Sequence, residues 1–350
     1  MLCKYSAWST VVVWAQVIFV IKKVEIVDFH THIMSLAGVE EIFPEARQTM
    51  FFKHVVPIVE PIADLTEGIH DQLLRHIAIN FNNDISRFVY SRFGGIFLME
   101  ALRLFKRHGL ERLIHNMDKL GVAHSVIYSL EPLTKTKDLI EQVQAYPGRF
   151  SIFGSVCRAE PDPVGYLSPF IESKAIKGIK IHPMVGGYHA DDLFDATKDF
   201  VALASEHNLP VAIHTGHIPI ESLTGQAACS KISAIEPIIK AFPDCTFILN
   251  HLGWESWRAA IEVAQKNPHV MLETSWQPAR IVRRAVDALG PERILFGSDY
   301  PMFQPWQAIR EVKSALSAKE FEIVASKNGK RLLGLTDTAP APRVVSEKRS

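Results

Sequence analysis

Eight short runs rich in aliphatic and aromatic residues, most of them followed by a longer amphipathic stretch, set the tightest limit on how this chain folds. The runs are Val24 to His32, Ala123 to Leu130, Phe150 to Cys157, Ile176 to His182, Pro210 to Gly216, Thr246 to Gly253, His269 to Ser275 and Arg293 to Asp299. Between them apolar residues recur with a helical period: Leu193, Phe200, Leu203 and Ala204 fall on one face of a helix that Asp192 can cap. Similar patterns cover Lys137 to Tyr146, Lys231 to Phe242, Glu255 to Lys266, Ala279 to Leu289 and Pro305 to Leu316. Pro210, Pro243, Pro268 and Pro291 punctuate the passage from helix to the next strand. Eight strands alternating with helices predict an α/β fold, the (β/α)8 TIM barrel. A doubly wound open sheet would show a glycine-rich phosphate turn after its first strand, and His30-Thr31-His32-Ile33-Met34 is not one.

The chain has 350 residues, enough for one such barrel carrying an insertion. The excess lies in the first connection, where roughly ninety residues separate His32 from the second run, far above the usual loop length. Residues 35 to 110 therefore read as a helical insertion after strand one, at the face where barrels hold their chemistry. Residues 1–23 read as an apolar N-terminal extension outside the barrel. Their unbroken apolar run, Trp8 to Ile21, is 14 residues long, against the roughly 20 that span a bilayer. A weak export signal and an extra segment packed under the barrel are the other two readings; Lys4 alone precedes the run and no small-residue cleavage site follows it. The barrel itself is expected over 24–335, and 336–350 reads as a solvated tail.

Lysine plus arginine equals aspartate plus glutamate at 38 each, so no global field draws the chain to nucleic acid or to an acidic membrane surface. A small-molecule substrate, chosen locally, is the expected partner; a homo-oligomer is compatible with the composition but not specified by it. Four cysteines show neither zinc-finger spacing nor disulfide density, which points to a reducing, cytoplasmic setting.

Barrel enzymes place their reactive groups at the C-terminal ends of the strands. Strand one ends with His30 and His32 on the same face, about 7 Å apart along the strand and close enough to chelate one ion. Strand four ends with Lys180 and His182, strand five with His214, strand six with His251 and strand eight with Asp299. Singly, each has an ordinary explanation: a hydrogen-bonded core histidine, a turn-capping aspartate, a salt-bridged lysine. Together they are explained at once by a metal site held by imidazole and carboxylate, a donor set that suits zinc, with manganese or iron as alternatives.

The motifs Val27-Asp28-Phe29-His30-Thr31-His32, Gly178 to Pro183, Val211 to Gly216, Leu249 to Gly253, Ile294 to Pro301 and Asn328 to Leu335 give the chain a resemblance to a known family. It resembles the amidohydrolase-related TIM-barrel proteins, especially the branch of aminocarboxymuconate-semialdehyde decarboxylase and the dihydroxybenzoate decarboxylases. The likeness runs from about Val24 to about Leu335. It implies one divalent metal held by His30, His32, His214 and Asp299, with His251 in an acid/base or substrate-polarising role. In binuclear members of the wider superfamily a strand-four lysine is carboxylated and bridges two metals; the branch resembled is usually mononuclear. Lys180 is thus either such a bridge or a free ammonium facing the substrate, and one ion is expected rather than two.

The function expected is metal-dependent hydrolysis of a small ester, lactone or amide, with Asp299, His251 and Lys180 as catalytic groups. The alternative is a metal-dependent carboxy-lyase or hydratase acting on a small carboxylate or aromatic acid. Trp254, Trp276 and Trp306 are candidates for a pocket wall, and Arg47, Arg75 and Arg158 for a substrate-carboxylate clamp. His189 reads as exposed, and His217 as pointing away from the His214 face.

Overall fold

The computed structural model describes residues 24–33, 109–217 and 228–335. The extension over 1–23, nearly all of the insertion and the tail lie outside the described residues, as do Arg47 and Arg75. The strands are β1 (Ile26–Thr31), β2 (Val122–Tyr128), β3 (Phe150–Ser155), β4 (Gly178–Ile181), β5 (Val211–Ile213), β6 (Phe247–Leu249), β7 (Val270–Glu273) and β8 (Ile294–Leu295). They form one parallel sheet in chain order. Backbone bonds close it into a barrel: Phe29 N–H to the Phe296 carbonyl at 2.8 Å and Asp299 N–H to the His30 carbonyl at 2.8 Å. All eight expected strands are present, as the alternation predicts.

Among the described residues the helices are α1 (Leu110–Leu120), α2 (Thr136–Val143), α3 (Pro163–Glu172), α4 (Leu193–Glu206), α5 (Ile232–Ala241), α6 (Trp257–Lys266), α7 (Ala279–Leu289), α8 (Pro305–Ala315), α9 (Ala318–Glu322) and α10 (Asn328–Leu333). Their apolar faces pack on the outward strand residues, as Val201 and Ala204 of α4 and Ile235 and Ile239 of α5 do with Val211 and Ile213. Asp192 stands at the N-cap position of α4 without capping it. Its carboxylate instead accepts from Arg158 Nε at 2.8 Å and from the His189 backbone N–H at 3.1 Å.

Inside the barrel Val27, Phe29, Val126, Tyr128, Phe153, Ala212, Ile248, Met271 and Leu295 form a second apolar cluster, joined by Leu333 of α10. Side chains alternate faces along a strand, so the next inward position lies two residues on. Two residues past Ala212, Ile248 and Met271 come His214, Asn250 and Glu273. The apolar layer is therefore a floor, and the polar groups stand on it at the C-terminal mouth. Among the described residues no helix is long and apolar enough to cross a membrane.

Gly178 shows how tightly this floor is packed. A methyl group there would lie 2.5 Å from Cζ of Phe153, whose ring is fully buried. Gly178→Ala should therefore destabilise the fold by about 1–3 kcal/mol, the usual range for overpacking. The check is a lower denaturation midpoint in urea with an unchanged slope.

Candidate metal centre

At the end of β1 the register against β2 shifts between Asp28 and Thr31. The buried carboxylate of Asp28 holds this irregular turn: Oδ1 accepts from the backbone N–H of His30 at 3.2 Å and of Ser298 at 2.9 Å, and Oδ2 from Ser298 Oγ–H at 2.6 Å. It thereby pins the end of β1 to the chain leaving β8. Past this point His30 and His32 converge, with their Nε2 atoms 3.0 Å apart. Asp299 Oδ1 lies 3.1 Å from the first and 3.3 Å from the second.

The other ring nitrogens decide what meets there. His32 Nδ1 lies 3.2 Å from the Tyr128 carbonyl, which can only accept, so the neutral ring carries its proton on Nδ1. His30 Nδ1 lies 2.7 Å from Glu273 Oε2; an ionised carboxylate likewise imposes Nδ1–H. Two lone pairs and a carboxylate oxygen then face one another without a donor between them. An ion about 2.1 Å from each of its donors needs them roughly 3 to 3.5 Å apart, as these are. The donor set fits a divalent metal.

His251 and His214 complete the chamber. His251 Nε2 is 3.0 Å from His214 Nδ1, and His251 Nδ1 is 2.7 Å from Ser275 Oγ. One ligand atom each from His30, His251 and Asp299 fall within 4.8 Å of one another. Proximity thus favours His251 beside the pair from β1. His214 has a different credential: its Nε2 is buried and has no hydrogen-bond partner among the described residues. Burial pushes the imidazoles of His30, His214 and His251 well below their ordinary value, and Lys180 and neighbouring rings reinforce it. Neutral rings are the metal-binding form.

Lys180 is fully buried, and its Nζ bonds Asn250 Oδ1 and lies 4.6 Å from the Tyr128 ring centroid. Burial lowers it to about 7, opposed by the charges of Asp299 and Glu273. Burial likewise raises Asp28 and Glu273 to about 7, against the hydrogen bonds they accept. His182 stacks on His214 with centroids 4.2 Å apart and planes at 14°. His189 is exposed. The backbone N–H of His217 bonds the Glu255 carboxylate.

Of the tryptophans, Trp276 reaches the centre: its indole N–H donates to Asp299 Oδ2 at 2.6 Å, and its ring stacks obliquely on Phe303 at 5.5 Å. Trp254 lies 6.4 Å from it. Trp306 is 43% exposed beside Arg310 and walls nothing here. Arg158 is exposed and engaged by Asp192. His251, Trp254, Trp276 and Asp299 all hold positive φ, the backbone strain that tends to gather at functional sites.

Sequence reasoning missed Glu273. It read the ends of strands one, four, five, six and eight and passed over the seventh, although Glu273 follows Met271 by two residues just as His214 follows Ala212. Gly297 marks the same spot from the opposite side. A methyl there would overlap Glu273 Oε1 and lie 2.8 Å from His30 Cβ, so only glycine lets the carboxylate and imidazole meet beneath β8.

A barrel with imidazole and carboxylate gathered at its mouth defines a class of enzyme that works through a divalent metal. The sequence model of the Amidohydrolase family matches residues 27–335, and the chain belongs to that family. None of the curated proteins matches it. Among solved structures, 5-carboxyvanillate decarboxylase from Sphingomonas paucimobilis is 16% identical, covers 89% of this chain and 100% of its own, and superposes with a TM-score of 0.59. An uncharacterised TIM-barrel protein from Bordetella bronchiseptica is 18% identical over 89% of this chain and 98% of its own, with a TM-score of 0.57. A dihydroxybenzoic acid decarboxylase from a Polaromonas species, solved with bound manganese and an inhibitor, is 17% identical over 67% of this chain and 89% of its own, at 0.51. Likeness at this level establishes a shared fold.

Two outcomes follow from the geometry. Asp299→Asn should lower divalent-metal affinity more than about 100-fold, beyond the loss typical of an outer-shell partner, whereas Trp306→Ala should leave it unchanged; metal content after gel filtration distinguishes them. Protons compete with metal for imidazole. Because His30 and His214 lie below 6.5, their competition sets in only at lower pH, and metal should still be half-retained below pH 6.5 in a pH titration of bound metal.

Proposed function

We propose that the chain is a metal-dependent hydrolase of a small organic substrate, an ester, lactone or amide. The observation that carries this reading is the meeting of His30 Nε2, His32 Nε2 and Asp299 Oδ1 within 3.3 Å of one another in a buried chamber. We assign one ion, zinc first and manganese or iron as alternatives, to His30, His32, His214 and Asp299. Such an ion, when bound, supplies Lewis acidity and makes water acidic near neutral pH.

The remaining work falls to side chains. Asp299 Oδ2 is held by the Trp276 indole while Oδ1 faces the imidazoles, so the carboxylate is fixed where a water proton must be taken up and then returned to the leaving group. His251, with its ring 4.9 Å from that of His30, is the second group in reach of substrate, for acid/base work or for polarising its oxygen. We assign Lys180, whose Nζ bonds Asn250 Oδ1, as a free side chain rather than a carboxylated bridge, and one ion rather than two. Cys157 and Cys245 remain thiols, in keeping with a cytoplasmic location.

The second reading is a carboxy-lyase or hydratase on a small carboxylate or aromatic acid. Trp276 stacked on Phe303 beside Asp299 favours it, since such a wall suits a planar substrate. Against it, Lys180 is turned to Asn250 and Tyr128 and does not offer the carboxylate anchor expected from strand four.

Metal-loaded protein should be incubated in 18O-water with esters, lactones, amides and aromatic acids. Incorporation of 18O into a product acid, lost with chelator and restored by one zinc per chain, is the expected result. Release of carbon dioxide without solvent oxygen in the product replaces this reading with the second.

A further inference from the structure

We propose that Glu273 is a positioning residue that sets the proton tautomers of His30, His251 and His214, and thereby turns the lone pair of His214 Nε2 toward the metal. The proposal rests on the metal-dependent reading above and deepens it. It begins with a carboxylate that is fully buried at the end of β7. Glu273 Oε2 accepts from His30 Nδ1 at 2.7 Å, Ser275 Oγ at 2.8 Å, the His251 backbone N–H at 3.2 Å and Asn250 Nδ2 at 3.4 Å; Oε1 accepts from the Ser275 backbone N–H. Backbone N–H groups, which can only donate, meet both oxygens, as suits the ionised form; an ionised carboxylate donates nothing, so every group around it then points a hydrogen inward.

From that one condition the proton positions follow in sequence. Ser275 has a single hydroxyl hydrogen, and giving it to Glu273 leaves only a lone pair for His251 Nδ1 at 2.7 Å. His251 must then carry its proton on Nδ1, which leaves Nε2 a lone pair. His214 Nδ1, 3.0 Å from that lone pair, must in turn be the donor. A neutral His214 protonated on Nδ1 presents an unprotonated Nε2, and that is the buried atom with no partner among the described residues. That lone pair is the one the assignment of His214 as a metal ligand requires. The chain of bonds also separates His214 from His251 as the fourth ligand, because His251 Nε2 is already committed to His214.

Reversing the polarity of the first bond reverses the rest. In Glu273→Gln an amide N–H can donate to Ser275 Oγ. Ser275 then gives its hydrogen to His251 Nδ1, His251 donates from Nε2 to His214 Nδ1, and His214 Nε2 is protonated. Ser275→Ala breaks the relay and leaves the bond between Glu273 and His30 intact.

The test uses the full chain with 15N-labelled histidine. Imidazole 15N shifts of the metal-free wild type should show His30, His214 and His251 as the Nδ1–H tautomer, with His214 switching to Nε2–H in Glu273→Gln. Calorimetric zinc affinity should fall about 10- to 100-fold in both variants, the range for outer-shell partners of metal-binding histidines, and further in Glu273→Gln than in Ser275→Ala. A wild-type His214 found as Nε2–H overturns the proposal even if neither variant folds. So does wild-type zinc affinity in both variants, which leaves the metal reading standing. A wild type that takes up no zinc removes both.

Discussion

Taking charged groups out of water at one place is the constraint around which this barrel mouth is arranged. Asp28, Glu273, Asp299 and Lys180 are all buried within one chamber, together with the imidazoles of His30, His32, His214 and His251. Each isolated ion would be expensive there, so each must be paired or hydrogen-bonded. Burial is the main force that drives Asp28 and Glu273 up and Lys180 down, each to about 7, and it holds His30, His214 and His251 well below their ordinary value. Three carboxylates against one ammonium leave an excess of two negative charges, which a divalent cation matches. The same ion offsets the desolvation that otherwise raises Asp28 and Glu273.

The barrel makes that concentration of charge geometrically feasible. Its apolar floor, from Val27 to Leu295, fills the lower interior and excludes water from beneath. Alternation then delivers His214, Asn250 and Glu273 to the mouth, each two residues past a floor residue. Where a plain strand would aim wrongly, the backbone is bent. The shift at Asp28 turns two β1 histidines to one point, and the positive-φ residues at His251, Trp276 and Asp299 re-aim the ends of later strands. Hydrogen bonds from Ser298 to Asp28 and from Trp276 to Asp299 hold those turns in place.

Much of this was legible in the chain itself. The eight strands and six of the helices, α2 and α4 to α8, followed from hydrophobic period and proline punctuation, and all eight strands are present. Their lengths were less legible: the run Arg293 to Asp299 forms a strand only over Ile294–Leu295, because beyond it the backbone bends into the site instead of continuing a ladder. Among site residues, His30, His32 and Asp299 stood out because imidazole and carboxylate at strand ends are chemically conspicuous. Glu273 did not, since a glutamate in a strand reads as an ordinary exposed position until its partner, His30, is brought against it from 243 residues away. The three tryptophans look alike in sequence, yet one bonds Asp299 and another is exposed.

By itself, then, the sequence determined the architecture and the kind of donors present, because period, alternation and residue chemistry are local properties. Which donors touch, which nitrogen of each ring carries a proton, and which way Lys180 turns were decided only by tertiary structure. Those depend on distances of about 3 Å between side chains from different strands, set by barrel closure and by the packing that lets Gly297 pass between Glu273 and His30.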